Sequence, residues 1–76
     1  MNNKRRDLLK LAVQLLERAS DYVSQALDAE QDCLDNMPEN LQSSERYEKM
    51  EAAIENLESA IDSIDNAKES IEAASE

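Results

Sequence analysis

From Tyr47 to Ala74 the sequence repeats every seven residues, as Y-E-K-M-E-A-A, I-E-N-L-E-S-A, I-D-S-I-D-N-A and K-E-S-I-E-A-A. With large apolar side chains at the first and fourth places, this is the pattern of an α-helix that lays one stripe along a partner helix. Those places hold Tyr47, Met50, Ile54, Leu57, Ile61, Ile64, Lys68 and Ile71, a seam interrupted only at Lys68. Beside it Ala53, Ala60, Ala67 and Ala74 recur at the seventh place of each repeat. Small side chains there let a neighbouring helix approach closely.

The first half of the chain has the matching character. Gly is absent, Pro occurs once, and Phe and Trp are missing, so the chain is built from helix formers around an aliphatic core. Apolar periodicity runs from about residue 4 to 35, breaks over 36–43 at Asn36-Met37-Pro38-Glu39-Asn40, and resumes over about 44–75. The fold expected is therefore all-α: one antiparallel two-helix hairpin of coiled-coil type, in a single domain covering residues 1–76. Ser43 or Ser44 suits the N-cap of the second helix, with Glu45 and Glu48 at the positive end of its dipole. Pro38 as first helical residue is the other start the sequence allows. Each helix is then about 48 Å long at 1.5 Å per residue.

A small stripe on the first helix, Ala12, Ala19 and Ala26, with Cys33 next in sevens, suggests how the halves meet. One fold-back sets Ala12 against Ala67, Ala19 against Ala60 and Ala26 against Ala53. The same register places Lys10 opposite Glu69 and Lys4, Arg5 and Arg6 beside Glu72 and Glu76, so charge and packing agree. Cys33 and the tyrosines Tyr22 and Tyr47 are expected among the packed side chains.

The large apolar residues of the first helix, Leu8, Leu9, Leu11, Val13, Leu15, Leu16, Tyr22, Val23, Leu27 and Leu34, span two adjacent stripes, too wide for one helix to cover. A chain this short has a core worth only roughly 3–5 kcal/mol unless something supplements it. Association is the expected supplement, through Leu9, Val13, Leu16, Val23, Leu27 and Leu34, in a homodimer that forms a four-helix bundle.

Eighteen acidic residues against eight basic ones leave a net charge of −10. This opposes attraction to nucleic acid phosphates or anionic lipid, and favours a partner protein with a basic surface. The second and fifth places of every repeat are acidic: Glu48, Glu51, Glu55, Glu58, Asp62, Asp65, Glu69 and Glu72. These places are neighbours on a helix, so the eight carboxylates form one ridge with about one charge per 4.5 Å, against about 3.4 Å along one DNA strand. Like charges three and four apart destabilise a helix by roughly 0.2–0.5 kcal/mol per pair. The ridge reads either as a solvated face that keeps the hairpin soluble or as a surface that occupies a basic groove.

Catalysis and cofactors are not expected. With no His, Ser and Cys lack their usual base and the Glu-x-x-His pairs of di-iron bundles cannot be built. With no Gly there is no phosphate-cradling loop. Paired carboxylates on one exposed ridge lack the differing environments that separate an acid from a base. Cation binding there would be weak and unspecific, so no metal site is expected. Lys10 and Gln14 interrupt the only apolar run near the start, and no stretch approaches the ~20 apolar residues of a membrane span. A lone Cys33 suits a reducing cytoplasm.

The centre of the chain resembles a known pattern. Asp35-Asn36-Met37-Pro38-Glu39-Asn40-Leu41-Gln42, then Ser44-Glu45-Arg46, Glu48 and Met50, is similar to the D-N-x-P-E-x-[LI]-Q-x-S-E-R-x-E-x-M signature of small acidic helical proteins carried by phages and mobile elements of Firmicutes. The resemblance covers about 20 residues, and the acidic repeat more loosely. It implies a phage or prophage setting, where short acidic proteins inhibit host nucleases or defence complexes. The function expected is thus a non-catalytic inhibitor or regulator of a host defence or nucleic-acid-handling protein. A homo-oligomeric structural or assembly module is the alternative.

Overall fold

Helix α1 (Asn3–Asp35) and helix α2 (Glu45–Ala74) make up nearly the whole chain in the computed structural model, which describes all 76 residues. They form an antiparallel hairpin 59 Å in its longest dimension, the length of one such helix plus the connection at 1.5 Å per residue. There are no strands. Both helices start at a side-chain cap: Asn2 accepts from the Arg5 amide at 2.9 Å, and Ser44 from the Tyr47 amide at 3.2 Å. The Ser44 hydroxyl also donates to the Leu41 carbonyl at 2.6 Å, tying the cap to the connection. Ser44→Ala is expected to cost about 1 kcal/mol, the usual worth of an N-cap, read as a lower midpoint in thermal unfolding followed by circular dichroism.

The connection reverses the chain without glycine and without a left-handed residue. Helix α1 stops at Asn36, whose amide donates to the Asp32 carbonyl. Pro38 lies outside both helices and precedes one 3₁₀ turn, Glu39–Leu41. Its extended backbone and missing N–H prevent α1 from continuing. At the far end, Arg6 Nε donates to the Ser75 carbonyl at 3.1 Å, across 69 residues of sequence. That guanidinium serves a carbonyl that the end of α2 leaves without a helical partner.

Two helices enclose a line of side chains rather than a volume. Only Met50 and Ile54 are buried, at 9% and 7% exposure. The rest of the α2 seam, Tyr47, Leu57, Ile61, Ile64, Lys68 and Ile71, is half-buried. On α1 the half-buried positions include Leu9, Val13, Leu16, Ser20, Val23, Leu27, Glu30 and Leu34, which alternate in steps of four and three. This is a second heptad seam, and it faces α2.

Few polar side-chain contacts cross between these seams. Lys68 Nζ lies 3.8 Å from Glu17 Oε1, and Leu9, Val13, Glu72 and Ser75 line one open groove. Alignment of the alanine layers would put Glu17 level with Asp62, more than one helical turn from Lys68. Ala12, Ala19, Ala53, Ala60 and Ala67 are half-buried beside the seams and Ala26 is exposed. Interlocking leucines, isoleucines and valines removes more apolar area from water than alanine against alanine, so the seams supply most of the cohesion between the helices.

Candidate functional site

All eight ridge carboxylates, on Glu48, Glu51, Glu55, Glu58, Asp62, Asp65, Glu69 and Glu72, are exposed. They follow one flank of the α2 seam over about 36 Å at 1.5 Å per residue. The hairpin's two ion pairs, Lys49–Glu45 at 3.3 Å and Lys68–Glu17 at 3.8 Å, leave every one of them unpaired. In the observed register the facing flank of α1 runs Lys10, Glu17, Ser24 and Gln31, which offers a single cation. The ridge therefore presents an almost unbroken negative edge, held straight by a helix whose cohesion comes from the seam behind it.

The apolar residues expected to carry association have a different place. Leu9, Val13, Leu16, Val23, Leu27 and Leu34 are all half-buried on the face of α1 that α2 covers. Besides Met1 at the N-terminus and Leu41 in the connection, the large apolar side chains that the hairpin leaves open are Leu8, Leu11, Leu15 and Tyr22, 57–71% exposed. These recur in steps of three, four and seven, so they form one stripe, almost opposite the seam on the helical wheel. Tyr22 is thus a surface residue rather than a packed one, while Tyr47 is half-buried. Cys33 is likewise exposed instead of filling the core near the turn.

A sequence signal for this assignment existed in the lengths of the two stripes. The stripe from Leu9 to Leu34 runs the length of α1 and can match all of α2, whereas Leu8 to Tyr22 occupies only its first two-thirds. A partner as long as the helix selects the longer stripe.

No three carboxylate or thiol side chains converge on a common point that would hold a metal ion. Neither helix is long and apolar enough to cross a membrane. The site is thus a pair of surfaces on one rod: an acidic ridge along a flank of α2 and a short apolar stripe on the outer face of α1. Compared with models of protein families, with curated proteins and with solved structures, the chain matches none.

Proposed function

We propose that this chain acts without catalysis, by protein–protein interaction, as an inhibitor or regulator of a host defence or nucleic-acid-handling protein in the bacterial cytoplasm. The observation that carries this reading is the exposed, unpaired row of eight carboxylates on α2. A straight row of charges at near-phosphate spacing complements a groove lined with Lys and Arg, and binding there excludes nucleic acid from the same groove. The net charge of −10 keeps the chain itself off nucleic acid. The central resemblance to small acidic phage proteins supports the same setting.

The test is capture from host lysate on immobilised chain, beside a variant with Glu51→Gln, Glu55→Gln, Glu58→Gln and Asp62→Asn. The expected result is a basic nucleic-acid-handling protein held by the native chain, released as salt rises from about 0.1 to 1 M, and not held by the variant. All four side chains are exposed, so the variant keeps its helices. Equal capture of that protein by both chains would exclude action through the ridge.

A second reading, a self-associating structural or assembly module, is favoured by one separate observation, the open stripe of Leu8, Leu11, Leu15 and Tyr22.

A further inference from the structure

We infer that the occupant of the open α1 stripe is a second copy of this chain, packed antiparallel about a two-fold axis midway between Leu11 and Leu15. The inference rests on the self-association reading alone and needs nothing from the ridge. It begins with where the charge is. The stripe lies almost opposite α2, so two copies meeting there line up as α2, α1, α1 and α2 in a row. With neighbouring axes 8–10 Å apart, the acidic helices stand at opposite edges, about 25–30 Å from each other. That is roughly three Debye lengths at physiological salt. A contact through α2 would instead force the two ridges toward one another.

Charge complementarity then selects the direction. Lys4, Asp7, Arg18 and Asp21 flank the stripe, all are exposed, and none takes part in an ion pair within the hairpin. In the antiparallel register that sets Leu11 on Leu15 of the second copy, Lys4 falls beside Asp21 and Arg18 beside Asp7. The two-fold axis makes each pair twice. Lys4 also lies level with Tyr22 of the second copy, whose ring is 71% exposed and open to an ammonium. A parallel pairing would stack Lys4 on Lys4, Arg18 on Arg18 and each aspartate on its mate. On the flank of the stripe Ala12 and Ala19 are small enough for close approach. The dimer is thus a row of four helices joined by two α1 helices, not the compact bundle that association through the Leu9–Leu34 stripe would build.

The test uses the full chain with Cys33→Ser, so that no adventitious disulfide contributes. Sedimentation at tens of micromolar is expected to give twice the 8.6 kDa of one chain. Leu11→Glu with Leu15→Glu should give the single-chain mass with helical circular dichroism retained, because both side chains point away from α2. Asp21→Lys should weaken the dimer about tenfold, the scale of two surface ion pairs turned repulsive, and adding Lys4→Glu should restore it. Under mild oxidation Gln14→Cys should form a disulfide-linked dimer, whereas Gln25→Cys, whose copies stand about 36 Å apart in this arrangement, should not. A native chain that sediments as a monomer overturns the inference and leaves the stripe to a different protein. So does a dimer indifferent to Leu11→Glu with Leu15→Glu, or one cross-linked through Gln25→Cys. Persistence of the dimer in the ridge variant, with loss of the captured partner, separates this result from the fate of the ridge proposal.

Discussion

Ile54→Ala is expected to destabilise the hairpin by about 2–4 kcal/mol, the cost of deleting buried methyl groups from a packed site. Ile54 is the most buried side chain in the molecule, at 7% exposure. The connection closes this end of the seam, with Met37, Pro38, Leu41 and Met50 lining one groove. Set against a total of roughly 3–5 kcal/mol for a chain of this size, the loss leaves little margin. Chemical denaturation should show a transition shifted to low denaturant, with helix content reduced even in buffer. Leu57→Ala, at a half-buried place one step along the same seam, should cost distinctly less. Equal losses at Ile54 and Leu57 would mean that the packed end of the hairpin is not at the turn.

The opposite sign is expected at Lys68. It occupies a seam position with its side chain only 25% exposed, and its amine lies 3.8 Å from a Glu17 carboxylate that is itself 56% exposed. An ion pair so open to water contributes at most about 1 kcal/mol. Burying an Ile side chain in its place contributes about 1.5–3 kcal/mol. Lys68→Ile should therefore stabilise the hairpin by about 1 kcal/mol, which raises the unfolding midpoint by roughly 4–8 °C in a domain of this size. Thermal unfolding at two salt concentrations checks it, since only the native chain has this pair to screen. A lower midpoint for Lys68→Ile would show that the Glu17 contact outweighs apolar burial at this layer.

The lysine in the α2 seam also helps a chain so regular to keep a defined pairing. Three polar residues, Ser20, Glu30 and Lys68, interrupt otherwise apolar seams. Sliding α1 along α2 by one heptad would keep leucine on isoleucine in most layers but move Lys68 away from Glu17. A single polar position inside a repeat is a well-attested way to set register at some cost in stability.

Two helices, a break near Pro38 and the positions of the acidic ridge are legible in the sequence because each depends on local pattern. Glu48 to Glu72 fall on adjacent helical positions whatever α2 packs against, and their charge keeps them in water. Local pattern leaves open which of two neighbouring stripes on α1 turns inward. Leu8 and Leu9, or Leu15 and Leu16, have the same hydrophobicity and sit one residue apart, so periodicity marks both and ranks neither. The alanine stripes fit three pairings at once, yet small side chains contribute little area to decide between registers.

The sequence by itself determined helix type, helix length and the edge on which the charge lies, since hydrogen bonding along a helix and the hydration of carboxylates are settled within a few residues. Only the tertiary structure decided that Leu9, Val13 and Leu16 meet α2 while Leu8, Leu11, Leu15 and Tyr22 stay open. Burial belongs to pairs of surfaces, and its free energy goes to whichever stripe matches the partner over the greater length.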